Sequence, residues 1–166
     1  MPLVQPAFVV VVVLIAAATK ISAMLEIAAL YHTLLFLPAR VAVLLSGESY
    51  NTLHGMYRFH SFVLDYSCAG VNFLLLCLAA GAWLFRQRVR TFTQLAGHAA
   101  WLVLAAWFTT NVANTFRVGL SLKLLRLTEH PAWLHEAVGT IVFLSFLLAY
   151  YQLLSRFTND KTHPAG

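Results

Sequence analysis

Long apolar runs alternate with short polar breaks along this chain, and the runs set its architecture. Residues 6–19 are almost unbroken apolar, Phe8-Val9-Val10-Val11-Val12-Val13-Leu14-Ile15-Ala16-Ala17-Ala18, closed by Lys20. With Leu3 and Val4 added, the run approaches the roughly 20 residues needed to cross a bilayer. No basic stretch precedes it, as a cleaved signal peptide would require. It therefore reads as a first transmembrane helix over residues 3–20. Three further spans are predicted at 69–85, ended by Arg86-Gln87-Arg88-Val89-Arg90, at 95–112, and at 133–154, ended by Arg156 and Lys161.

Two segments depart from this pattern. Residues 21–46 are apolar but carry Glu26, His32 and Arg40, and Pro38 interrupts them. The preferred reading continues the first helix to Leu37 and lays a short amphipathic helix, 38–46, in the interface. Pro38 then sits in its first turn and Gly47 stops it. The other reading, a second and broken span, buries three ionisable groups at a cost. Between residues 57 and 68, Phe62, Leu64, Tyr66 and Cys68 fall on one face, alternating with Ser61, Val63, Asp65 and Ser67. With turn residues at 51–55, segments 48–52 and 57–67 are expected to pair as a hairpin that leads to Cys68. The predicted fold is all-α and integral to the membrane. It is a single domain, 1–166, of about four transmembrane helices, an interfacial helix and a short extracytoplasmic β-hairpin.

Composition narrows the function classes. The 166 residues are 60% hydrophobic and 10% charged, whereas a soluble domain is about 25% charged. The net charge of +5 and the pI near 9.6 call for no nucleic acid, because Lys and Arg mark the cytoplasmic loops of membrane proteins. Arg86, Arg88, Arg90, Arg156 and Lys161 crowd two short stretches, while the other basic residues are spread thinly. The density difference is roughly threefold and makes the crowded face cytoplasmic. The two cysteines, Cys68 and Cys77, form neither a CxxC pair nor a zinc framework. On one helix they stand about 13 Å apart in rise, beyond disulfide reach, which argues against a thiol oxidoreductase.

Cys68 stands where a polar segment turns into a membrane-length helix, and the positive end of that helix favours thiolate over thiol. In the predicted topology Cys68 opens an inward-running helix, Arg117 follows an outward-running one, and His135 opens the next inward one. All three reach the non-cytoplasmic rim. A cysteine acyl transferase needs a thiolate and a neighbouring base that protonates the leaving amine, and His135 suits that role. Arg117 suits an oxyanion or a substrate carbonyl, since guanidinium stays charged and presents several donors. Asn111, Asn114 and Arg117 share a helical face of roughly 120°, so an amide beside the arginine is expected to orient it.

Each residue also has an ordinary alternative. Cys68 is a small apolar residue, Arg117 a headgroup anchor, and His135 a surface or cap residue. His130 and His60 compete as bases, and Glu136 is either a partner of His135 or a carboxylate favoured at a helix start. Cys77 reads as mid-helix packing. His98 lies about 28 Å of helix rise from Arg117 and finds no matched histidine for a haem. No cofactor and no metal are expected. The rival class is a non-enzymatic membrane subunit, for binding or assembly, whose rim residues meet lipid headgroups.

Three short motifs then carry a resemblance. Tyr66-Ser67-Cys68-Ala69-Gly70-Val71-Asn72-Phe73-Leu74 resembles the catalytic-cysteine motif of the exosortase/archaeosortase family. Asn114-Thr115-Phe116-Arg117 resembles its N-x-x-R motif, and His135-Glu136-Ala137-Val138-Gly139 its H-x-x-x-G motif. Order and spacing are similar as well, and the Val71-Asn72-Phe73-Leu74 ending looks most like the exosortase K branch. Ala69 departs from the commoner Cys-Ser-Gly. The likeness covers about residues 37–150, with a catalytic core of about 37–155 and an N-terminal helix outside it. The resemblance implies a membrane cysteine peptidase or transpeptidase with Cys68, Arg117 and His135 as catalytic residues. Its expected partners are membrane lipid and exported proteins with C-terminal sorting signals of the PEP-CTERM kind, each a short motif, a transmembrane helix and a basic tail. Its expected place is the cell inner membrane, multi-pass, with the site facing the periplasm or outside.

Overall fold

Uniformly apolar runs can satisfy their backbone groups only as helices where water is scarce, and most of this chain is helical. The computed structural model describes residues 4–125 and 132–159. Its order is α1 (Val4–Met24), α2 (Ala28–Ser46), β1 (Asn51–Leu53), β2 (Met56–Arg58), β3 (Val63–Leu64), a 3₁₀ turn (Tyr66–Ala69), α3 (Val71–Phe85), α4 (Phe92–Leu125) and α5 (Ala132–Asn159). Arg126, His130 and Lys161 lie outside the described residues. Among the described residues, four helical stretches are long and apolar enough to cross a membrane: Val4–Met24, Ala28–Ser46, Tyr66–Phe85 and Glu136–Thr158.

Helix α4 is the hub. It packs against α2, α3 and α5, and α1 lies against α3. At 34 residues it rises about 50 Å, longer than the roughly 30 Å hydrocarbon core. It contains the expected span 95–112 but is not among the four stretches apolar enough to cross a membrane, whereas α2, expected to be partly interfacial, is. Asn111, Asn114 and Arg117 lie on one helical face as expected, but the helix runs on through Ser121 to Leu125, and all four residues are buried. Their spacing turns them to one side of an unbroken helix, into the bundle.

The segment 21–46 also differs from expectation. The first helix does not run on to Leu37. It stops at Met24, and the chain turns where Glu26 takes φ 51°. Helix α2 then runs through Pro38, so there is no separate 38–46 helix. Tyr31, Leu34, Leu35, Pro38, Ala39 and Ala42 form its buried stripe. That packing holds the helix across the proline, which by itself removes one backbone hydrogen bond. Gly47, at φ 74°, ends the helix as expected, its N–H donating to Val43 O at 2.8 Å.

A hairpin is present, but over Asn51–Arg58, with residues 48–50 outside it; the expected single strand 57–67 instead folds back on itself as β2 and β3. The sheet order is β1-β2-β3, antiparallel throughout, with Thr52 opposite Tyr57 and Tyr57 opposite Leu64. His54 and Gly55 turn between the first two strands with φ 51° and 80°, the left-handed pair a two-residue hairpin favours. Glu48 clamps the end of the sheet, accepting from Ser61 Oγ at 2.6 Å and Ser61 N at 3.0 Å. Those bonds hold its carboxyl below the usual carboxylate range. The clamp is therefore complete at neutral pH and is lost as pH falls through that lowered value.

One close approach fixes the middle of the bundle. A Cβ on Gly81 of α3 would collide with Leu102 of α4 and stand 3.1 Å from Tyr150 Oη of α5. Leu102 is fully buried and has no room to swing aside. Gly81→Val is expected to destabilise the protein by about 1–3 kcal/mol, the usual cost of overpacking. Thermal unfolding in detergent measures it.

Candidate active site

Asp65 builds the turn that carries Cys68. Its Oδ1 accepts from Ser67 N at 2.9 Å and from Ser67 Oγ at 2.6 Å, and its carbonyl accepts from Cys68 N at 3.0 Å. Asp-x-Ser is the local pairing that favours such a turn, a signal present in the sequence. Cys68 thus sits in the 3₁₀ turn before α3, and Gly70, at φ 70°, separates the two. Contrary to the sequence expectation, Cys68 does not itself open α3, which begins at Val71. Cys68 is 7% exposed, and its sulfur lies 4.0 Å from Ser67 Oγ.

Gly70 is small for two reasons. A side chain at its left-handed φ costs about 1–2 kcal/mol. A Cβ there would also stand 3.4 Å from Thr110 Cγ2, 3.6 Å from Phe143 Cζ and 3.8 Å from Asn114 Cγ. The glycine two residues past Cys68 is therefore where α3, α4 and α5 meet.

Arg117 lies within α4, eight residues before its end at Leu125, and is only 9% exposed. Its guanidinium carbon is 5.5 Å from the Phe143 ring centroid, and Phe143 stacks on Phe73 of α3 at 4.7 Å. Gly139 of α5 makes room for the arginine: a Cβ there would meet Arg117 Nε at 3.1 Å and Cζ at 3.7 Å. Arg117 is also close enough to act electrostatically on the Cys68 sulfur, as is Asp65. His135 lies in the first turn of α5, four residues ahead of Gly139.

The amides behave differently from expectation. Asn111 Nδ2 donates to Trp107 O at 3.0 Å, and Thr110 Oγ1 to Ala106 O at 2.8 Å, both within α4. Asn114 is fully buried, and neither of its amide atoms has a hydrogen-bond partner among the described residues. No hydrogen bond from Asn114 orients Arg117.

A cleft of about 430 Å³ opens beside the turn. Ser67 and Gly70, on either side of Cys68 in the chain, line it together with Lys20, Tyr31, Tyr66, Phe73 and Phe143, while Cys68 itself does not. Lys20 Nζ donates to Asn72 Oδ1 at 3.1 Å, which ties the end of α1 to the start of α3. Tyr31 and Tyr66 pack with ring centroids 4.2 Å apart. The aromatic and Lys20 contributions follow from packing between distant segments, and no local pattern announces them.

Other candidates fall away from this cluster. Cys77 is buried within α3 and is a free cysteine like Cys68. His98 Nδ1 sits 2.7 Å from Gln94 O near the start of α4. His60 and Glu136 are exposed. Among the described residues no three His, Cys, Asp or Glu side chains gather as a metal-binding set. Compared with protein-family models, curated proteins and solved structures, the chain finds no match in any of the three.

Proposed function

We propose that this protein is a membrane-embedded cysteine peptidase or transpeptidase of the exosortase kind, which cleaves C-terminal sorting signals of exported proteins. Cys68 is the nucleophile, His135 the base that forms the thiolate and protonates the leaving amine, and Arg117 the cation that stabilises the oxyanion. The substrates are exported proteins ending in a motif, a membrane helix and a basic tail. The site faces the non-cytoplasmic side of the cell inner membrane, opposite Arg86–Arg90, in a multi-pass arrangement. The observation that carries this reading is a convergence. Three motifs far apart in sequence meet through Gly70 against Asn114 and Gly139 against Arg117.

One observation favours a non-enzymatic binding or assembly subunit: Cys68 is as buried as a packed apolar residue. Comparing the C-termini of membrane proteins in cells with the wild type and with Cys68→Ala separates the two readings. A peptidase leaves a set of proteins truncated before their last helix only in the wild type. Identical C-termini in both would return the chain to the binding class.

Gly139 supplies a milder test. Gly→Ala within a helix stabilises by roughly 0.5–1 kcal/mol, but here the new Cβ presses on Arg117. Since misplacement by about 1 Å can cost on the order of 100-fold, Gly139→Ala is expected to lower turnover about tenfold. Its melting temperature should stay level or rise. Unchanged turnover would show that the position of Arg117 does not matter to the chemistry.

A further inference from the structure

We propose that Asn114 is a further catalytic residue, whose Nδ2 donates a hydrogen bond to the substrate carbonyl oxygen as that oxygen becomes an oxyanion. The inference rests on the peptidase reading above. It starts from a contrast along one side of α4. Thr110 and Asn111 place their side-chain donors on carbonyls of their own helix. Asn114, one turn further and 0% exposed, leaves both amide atoms unpartnered among the described residues. Folded proteins keep few such groups, and each one calls for a reason. Packing alone is not that reason, because an apolar side chain of the same size fills the space without an unmet donor.

The surroundings say what the amide meets. Its Cγ comes within 3.8 Å of the place a Gly70 side chain would take. Gly70 and Phe143 line the cleft beside Cys68, and Phe143 also lies under the Arg117 guanidinium. Cys68, Asn114 and Arg117 do not themselves line the cleft; a carbonyl that reaches Cys68 past Gly70 would meet Asn114, which lies against Gly70, and Arg117, one turn along the same helix. The thiolate forms a C–S bond, and the C=O π pair moves onto oxygen. A neutral donor and a cation then share the charge. On collapse the C–N bond breaks, and the amine leaves with the proton held by His135. Water or an amine acceptor releases the thioester and restores the thiol. Preorganised donors of this kind act on the transition state and leave ground-state binding largely unchanged.

The test uses the full chain in nanodiscs and, as substrate, a membrane protein that Cys68→Ala cells leave uncleaved. Asn114→Leu keeps the volume and removes the donor, and Asn114→Ala covers the case in which leucine does not fit. The expected kcat falls about 10²–10³-fold in either variant, with KM within about threefold and a melting temperature equal to or above wild type. A structural amide lowers melting temperature and activity together, and that outcome overturns the proposal. So does a kcat within tenfold of wild type while Cys68→Ala is inactive. If Cys68→Ala itself cleaves normally, the peptidase reading fails instead.

Discussion

Cys68→Ala is expected to fold, reach wild-type abundance in the membrane and cleave nothing, while Cys77→Ala cleaves as the wild type does. The substitution at position 68 removes one sulfur from a residue that is 7% exposed. A void of about a methyl group costs on the order of 1 kcal/mol, too little to unfold a bundle whose α4 packs against α1, α2, α3 and α5. The turn survives as well, because Asp65 bonds to Ser67 and to the Cys68 backbone N–H, none of which involves the sulfur. The chemistry has no such reserve. Without its nucleophile a covalent mechanism loses its first step, and activity should drop by more than about 10³-fold. Cys77, buried within α3, has no part in the site. Cleavage assayed at matched abundance decides the matter, and substantial activity in Cys68→Ala would refute the nucleophile assignment.

Arg117→Lys is expected to cut turnover by about 100-fold, the typical effect of losing one oxyanion donor. A snorkelling anchor keeps its charged head in water, whereas Arg117 is 9% exposed and lies against Phe143 and Gly139. Lysine keeps the charge but not the planar fork of donors, and a guanidinium seated on a ring is poorly replaced by an ammonium. The exposed Lys123, further along the same helix, provides the comparison: Lys123→Arg should change turnover by less than about twofold, as surface changes usually do. Equal and near-normal rates in both variants would make Arg117 an anchor after all.

How far the fold could be read beforehand varied with the physics of each segment. Helices α3 and α5 were legible because they are apolar throughout and end near clustered arginine or a lone Arg156. The break between α1 and α2 was not. No Gly or Pro marks Glu26, while Pro38, which does look like a break, is held inside α2 by packing on neighbouring helices. Tertiary contacts overrode local propensity at both places. The length of α4 was legible only in part: Asn111, Asn114 and Arg117 share a helical face, but the residues beyond them give no sign that the helix continues to Leu125 until a neighbouring helix is known to cover them. Within the site, Cys68, Arg117 and the glycine after His135 were visible as motifs. The unpartnered state of Asn114 and the Phe73–Phe143 stack depend on how three helices meet, which no single stretch of sequence encodes.

The most direct test of the central claim is the chemical state of Cys68 during turnover. Purified protein is mixed with an excess of a substrate that Cys68→Ala cells leave uncleaved, quenched in acid at successive times, digested, and examined by mass spectrometry. The peptide containing Cys68 is expected to carry the N-terminal part of the substrate as a thioester that hydroxylamine removes, and to lose it as the substrate is exhausted. Turnover with Cys68 unmodified at every time point, or with the adduct on another residue, would contradict it.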